Sequence, residues 1–218
     1  MVHLLPLPGS PRGGFTLNAV LERAVSDTVA LLEGGVDGII IENFGDSPFA
    51  AEQVSPYTVA AMTRIALEVR NLSVSQMMGI NILRNDALSA LGVATAVNAD
   101  FIRVNIHIGA TLTDQGILTG HARQTLLMMN RLDSSVKIAA DVDVKHGAQI
   151  APRPINELAK ETALRGRADY LIVTGAGTGS ETSLDDLKAV KSALPSTEVW
   201  VGSGVNASNL SSLTSHCD

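Results

Sequence analysis

Cysteine is nearly absent from this 218-residue chain, the single one, Cys217, standing beside the last residue. One thiol excludes an intramolecular disulfide framework and any zinc site built on cysteines. It agrees with a reducing, cytoplasmic setting. Aromatic residues make up only 3%, which leaves few platforms for stacking bases. Lys and Arg number 16 against 22 Asp and Glu, a formal net charge of −6 that is spread along the chain. Nucleic acid requires a basic surface with aromatic or arginine stacking, so these totals argue against it as a partner. No uninterrupted apolar run approaches the roughly 20 residues of a membrane helix. The opening MVHLLPLPGSPRGG carries Pro6, Pro8 and Pro11 and no basic n-region, so it does not read as a targeting segment. Peripheral attachment to a membrane is left open by these absences.

What is present is a globular composition, 45% apolar and 17% charged. Seven β-like runs alternate with helix-like segments. The strand readings are 2–7, 38–43, 77–83, 101–107, 136–146, 170–175 and 199–205, and the helix readings include 17–35, 56–70, 119–132, 154–166, 184–194 and a start at 207–215. Strand starts recur at about 33 residues, the length of one βα unit. GIIIEN, YLIVTG and VKIAADV are rich in β-branched residues, as strands covered on both faces should be. The pattern predicts a TIM (β/α)8-type barrel carrying about seven βα units, a single domain over 1–218 with the eighth unit missing at the C-terminus. Open edges on the first and seventh strands would then make the chain poorly stable alone. An open doubly wound sheet is the rival, but PLPGSPRGG after the first strand does not match G-x-G-x-x-G.

In a barrel the chemistry sits at the C-terminal ends of strands. The stretch DFIRVNIHIGATLTDQG, 100–116, alternates so that Arg103, Asn105 and His107 share one face, then runs into a loop carrying Asp114 and Gln115. Strand five gives Asp141, Asp143 and Lys145 one parity. Inward charges in a covered sheet must meet a ligand or each other. The candidate catalytic residues are therefore Asp141, Lys145, His107, Asn81, Asn105 and Glu42. Asp141 or His107 would serve as acid or base, and Lys145, Asn81 or Asn105 would polarise an oxygen. Glu42 and Asn43 should face opposite ways, and Asp46, Asn85 and Asp86 read as loop and N-cap residues. Arg103, mid-strand, reads as a structural ion pair with Asp141 or Glu42. GSGVNASN, 202–209, is the anion signal: Gly202, Ser203 and Gly204, helped by Gly175, would let backbone N–H groups approach a phosphate. No cofactor is implied. A divalent metal on His3, Glu42, His107 and Asp141 is the weaker alternative, unsupported by HxH or HExxH spacing.

MVHLLPLPGSP, DGIIIENFGDSPF, GINILRNDA, DFIRVNIHIGATLTDQGI, ADVDVKH, DYLIVTGAGTG and VGSGVNASN, in order across the chain, resemble the successive motifs of the BtpA family. The resemblance implies a ribulose-phosphate-binding-type barrel with a further strand after the HCD end. It also implies a link to photosystem I accumulation in cyanobacterial relatives, where the protein associates peripherally with thylakoid membranes. Relatives elsewhere are non-photosynthetic, so the expected location is cytoplasmic, with the thylakoid membrane surface or the mitochondrion as alternatives that depend on the source. The chain departs from the family pattern at Asp143, where ADVHVKH has histidine, and at LLMMNR, 126–131, where a basic run is usual. The expected activity is that of an isomerase, lyase or hydrolase acting on a small phosphorylated molecule. The alternatives are a non-enzymatic assembly factor and, for either, a homo-oligomer.

Overall fold

A computed structural model describes residues 1–144, 146–175, 177 and 180–218. Contacts divide the chain into two compact units, one of Met1–Arg103 with Gln124–Val136, the other of Val104–Arg123 with Lys137–Asp218.

In the first unit, β1 (Val2–His3), β2 (Gly38–Glu42), β3 (Met77–Asn81) and β4 (Phe101–Val104) follow one another, with α1 (Leu17–Glu33), α2 (Pro56–Leu72) and α3 (Ala87–Ala96) between them. Neighbours pair in parallel in chain order. The helix α4 (Ala122–Leu132) follows. Each helix start is written locally. Thr16, Ser55 and Asp86 accept the backbone N–H groups of Ala19, Thr58 and Ser89, satisfying donors that the first turn leaves open. Asp86 also accepts Val54 N, and Asp46 accepts Leu7 N, so both act as loop and cap residues as expected. Helix α1 buries Val20, Ala24 and Thr28, one residue per turn. Helix α2 buries Met62, Ile65, Ala66 and Val69. Ile39, Ile41, Met78, Ile80 and Ile102 are almost fully buried, each worth about 1.5–3 kcal/mol relative to exposure.

In the second unit a hairpin of β5 (Ala110–Thr113) and β6 (Gly116–Thr119) precedes β7 (Lys137–Asp141), β8 (Gly147–Gln149), α5 (Ile155–Lys160), β9 (Tyr170–Val173), α6 (Leu184–Ala193), β10 (Glu198–Val201) and α7 (Leu210–Leu213). Strands β7, β9 and β10 pair in parallel. Strands β6, β5 and β8 form a separate antiparallel sheet. A π-helical turn, Glu161–Arg165, extends α5.

The strand–helix repeat is that of a TIM-type (β/α) barrel, with seven parallel strands among the described residues. One device recurs at the strand starts. Asp100 Oδ2 accepts Met78 N at 2.7 Å, Asp169 Oδ2 accepts Ile138 N at 2.9 Å, and Asp218 Oδ2 accepts Val199 N at 2.9 Å. Asp100 and Asp169 each stand just ahead of one strand and latch the start of its neighbour, and Arg70, Lys137 and Lys191 pair with the three aspartates. No described helix is long and apolar enough to cross a membrane.

Most strand starts fall where the sequence places them, but the strands end early. The first stops at His3 rather than position 7, where Pro6 supplies no N–H to a ladder. The fourth stops at Val104 and the fifth at Asp141, because the chain leaves the parallel sheet there for the antiparallel one. The helix expected from 119 starts at Ala122, since 116–119 is strand. The helix expected over 207–215 is only Leu210–Leu213.

Candidate active site

The second unit contains a cavity of about 300 Å³ beyond the ends of β4 and β7. Asn105, His107, Asp141 and Asp143 line one side, and Thr111, Gln149 and Arg153 are among the residues lining the rest. The antiparallel sheet forms this second wall. Thr111 and Leu118 face inward and are buried, while their neighbours Leu112 and Ile117 are exposed at 53% and 63%. Leu118 joins Ile106 and Val144 in a small apolar cluster that fastens the hairpin to both strand-end loops. Gly120 N donates to Gly109 O and Ala122 N to His107 O, closing the hairpin back on the strand that launched it.

The expectation that Arg103, Asn105 and His107 enter an enclosed space holds in terms of burial, at 4%, 3% and 1% exposure. Asn105 Nδ2 donates to Asp141 Oδ2 at 3.0 Å, so the amide turns its nitrogen to the carboxylate and its oxygen away. His107 Nε2 donates to the Gly166 carbonyl at 2.8 Å. A carbonyl only accepts, so this nitrogen carries the proton and Nδ1 keeps its lone pair. Burial pushes the imidazole below its usual range, with the bond to Gly166 opposing, and the ring is neutral at pH 7. Asn105 Oδ1 and His107 Nδ1 are shielded from water and meet no hydrogen-bond donor among the described residues. The site therefore holds a neutral histidine with a bare nitrogen beside a buried carboxylate–amide pair.

Asp143 departs from expectation. It lies past the end of β7 and is exposed rather than pointing inward on a strand. Its carboxyl is nonetheless raised above the usual range, by partial desolvation at the cavity mouth, with Gln149 opposing and Asp186 adding. Arg153 is anchored at the rim by Glu161 at 2.9 Å and Glu157 at 4.0 Å. Lys145 lies outside the described residues.

In the first unit, Asn81 Nδ2 donates to Glu42 Oε2 at 2.6 Å, both residues being buried. His3 Nε2 stands 3.6 Å from Glu42 Oε1, and its ring stacks on Phe44 at 4.5 Å. Asn43 is buried as well, but with partners of its own: it donates to Asp46 and accepts Leu83 N. Glu42 and Asn43 thus serve two different hydrogen-bond sets. Arg103 is buried in β4 and is partnered. Among the described residues no three or more His, Cys, Asp or Glu are grouped to hold a metal ion.

The glycine loops are tightly packed. A Cβ at Gly175 or Gly204 would lie 2.4 or 2.3 Å from Ser180 O, and Gly204 has φ +72°. Close approach of three backbone segments demands glycine at both positions. Ser203 Oγ donates to Ser180 O, and Gly202 N donates to Val173 O. Asn206 Oδ1 accepts Ser208 N and Asn209 N, so these two donors of the 202–209 segment are used locally. Gly175, Gly202, Ser203 and Gly204 are not among the cavity-lining residues. The sequence reading missed Gly166, Thr111, Gln149 and Arg153. The alternation in ATLTDQGILT was the available signal for the hairpin wall, whereas the His107–Gly166 contact spans 59 residues and has no local signature.

A TIM-type α/β barrel protein with a cavity beyond its strand ends is the class defined by these features. Solved structures share that fold: a 2,3-dimethylmalate lyase aligns with a TM-score of 0.54 over 94% of this chain and 71% of its own, at 12% identity. KGPDC from Streptococcus mutans aligns with a TM-score of 0.52 over 88% and 77%, at 14% identity. At such identities the likeness concerns the fold alone. The sequence matches the BtpA family over residues 1–218, and the chain belongs to that family. It is 46% identical over 213 residues to the photosystem I biogenesis protein BtpA of Synechocystis sp., covering 98% of this chain and 74% of that protein. It is 47% identical over 218 residues to an uncharacterized protein of Archaeoglobus fulgidus, covering 100% and 86%. A mitochondrial uncharacterized protein of Caenorhabditis elegans is 32% identical over 219 residues, covering 96% and 77%.

Proposed function

We propose that the chain is an enzyme acting on a small phosphorylated metabolite by acid/base chemistry in the cavity beside Asn105, His107 and Asp141. The observation that carries this reading is the state of His107, a residue lining the cavity: neutral, tautomerically fixed by Gly166, and with Nδ1 matched by no donor among the described residues. Such a nitrogen accepts a proton without first losing one, which suits a general base near neutral pH. Asp141 fixes the orientation of Asn105, and Asp143, with its raised affinity for a proton, stands at the mouth as a candidate acid. Lys145, two residues further on, is a candidate for polarising an oxygen. The phosphate is assigned to the loops carrying Gly175 and Gly202–Gly204, on the strength of their glycines and their place after the sixth and seventh parallel strands. The test is thermal stabilisation by inorganic phosphate and a panel of sugar phosphates, followed by turnover assays on any that bind. Binding that His107→Gln retains while turnover is lost supports the assignment. No stabilisation by any phosphorylated compound defeats it.

An assembly role is the second reading. Leu112 and Ile117 lie opposite each other across the hairpin, and both are exposed, as is Ile150 at 58%. The name of the Synechocystis relative points the same way. On this reading Leu112→Ser with Ile117→Ser abolishes the biological phenotype while Asp141→Ala leaves it intact, and the reverse result excludes it.

A further inference from the structure

The polar groups on the inner side of the cavity are committed or closed off. Asn105 Nδ2 donates to Asp141 Oδ2, and His107 Nε2 donates to Gly166 O. Thr162 Oγ1 donates to Leu158 O at 2.8 Å. Asn105 Oδ1 and His107 Nδ1 are shielded from water. What the cavity presents to a ligand is mostly carbon. Ile106, Val142 and Val144 line it at 4%, 8% and 5% exposure, and Ile108 and Leu158 line it from half-buried positions. Apart from Asp141, which is hydrogen-bonded, the charged residues of the lining are Asp143, Arg153 and Glu161, and none of these three is buried. Charge therefore lies towards the open side and hydrocarbon towards the inside.

We propose that this cavity receives an aliphatic hydrocarbon group, so that its ligand is an alkyl-bearing compound whose carbon chain packs against Ile106, Ile108, Val142, Val144 and Leu158. The inference rests on the cavity being the substrate site, and it names the part of the substrate that packs there rather than the atom that reacts. The glycines to which the phosphate is assigned do not line the cavity, which leaves this space to another part of the molecule. A volume of about 300 Å³ is roughly twice the 150 Å³ of an apolar cavity that takes up benzene, so about six to ten carbon atoms fit. Burying such a group removes apolar surface from water on both the ligand and the wall. A polyol of the same size would lose hydration at each hydroxyl against a wall whose inner donors and acceptors are committed or shielded.

1-Hexanol and sorbitol share a six-carbon chain and differ in hydroxyls, and neither carries a phosphate. On the full chain at pH 7, 1-hexanol should shift the methyl NMR signals of Val142, Val144 and Leu158 to saturation, and sorbitol at the same concentration should leave them in place. Affinity should rise about four-fold for each CH₂ group added from 1-butanol to 1-hexanol, equivalent to about 0.8 kcal/mol. Ile108→Trp, which fills the space from a half-buried position, should lower the affinity for 1-hexanol about ten-fold or more. Unchanged affinity in that variant, once folded, overturns the placement, and the signals of the unaltered protein decide the matter if it does not fold. Sorbitol shifting the same signals as strongly as 1-hexanol overturns the inference. So does the absence of any shift with 1-hexanol, or shifts confined to Leu112 and Ile117 on the exposed face of the hairpin. Each of these failures leaves the phosphate-enzyme reading standing, because the panel of phosphorylated compounds decides that reading separately.

Discussion

The Nε2 atom of His107 lies 2.8 Å from the carbonyl oxygen of Gly166, across 59 residues of chain. That carbonyl is delivered by the π-helical turn at 161–165, whose last residue precedes Gly166. A Cβ at Gly166 would come within 2.6 Å of Thr162 O, 2.9 Å of Ile108 Cγ2 and 3.0 Å of His107 Cδ2. Irregular turns of this kind are frequent beside functional sites, and here the turn fixes which ring nitrogen holds the proton. Gly166→Ala is therefore expected to destabilise the chain by about 1–3 kcal/mol and to disturb the His107 titration. Denaturant unfolding measures the first effect, and the imidazole NMR signals follow the second. An unchanged His107 titration in a destabilised variant would remove the positioning role and leave only packing.

Stability should also depend on pH through the same ring. Folding lowers the His107 pKa below its ordinary 6.5. Between the lowered value and 6.5 the unfolded chain binds a proton that the folded chain refuses, so stability rises with pH across that window. The contribution is fully present above about pH 6.5 and is lost as pH falls through the folded value. His107→Gln should flatten this part of the stability profile, read as urea midpoints at a series of pH values.

Asp143 acts in the opposite sense. Its pKa is raised by desolvation first, with Asp186 adding, so its contribution is present below the unfolded value near 3.8 and is lost as pH rises through the folded one. Asp143→Asn is expected to leave stability at neutral pH unchanged or slightly higher, the residue being largely exposed. A clear loss of stability at neutral pH would mean that the carboxylate has an attractive partner.

Leu118 is the inward residue that ties the hairpin to Ile106 and Val144. Leu118→Ala should cost about 2–5 kcal/mol. Because the cluster sits beside the cavity wall, amide exchange in 110–119 and 147–149 should quicken first, ahead of β9 and β10. Uniform quickening throughout the second unit would show that the hairpin is not a separable layer.

Much of the fold was legible because strand starts carry strong local signals. GIIIE, MMGIN and YLIV are short apolar runs, preceded in two cases by Asp and followed by capped helices. Strand ends were less legible. The inward parity of Arg103, Asn105 and His107 continues past Val104, where ladder bonding stops, so alternation alone extends the strand too far. The same effect carried the fifth strand through Asp143. The segment ATLTDQGILT reads as a loop when its glycines and threonines are weighed, and as a hairpin when Thr111 and Leu118 are seen to alternate with Leu112 and Ile117. Gly175 and Gly204 were read as places where backbone N–H groups approach a phosphate, and in the structure the group packed against both is Ser180. Sequence can register the need for a glycine without naming what approaches it.

The carboxylate latches of Asp100 and Asp169 stand at the opposite ends of their strands from Asn105, His107 and Asp141. Segments 105–121 and 142–153 could therefore be exchanged between relatives without touching either latch. The repeat supplies its own cut lines for recombination: chimaeras joined just after Val104 and Asp141 should inherit their thermal resistance from one parent and their ligand from the other.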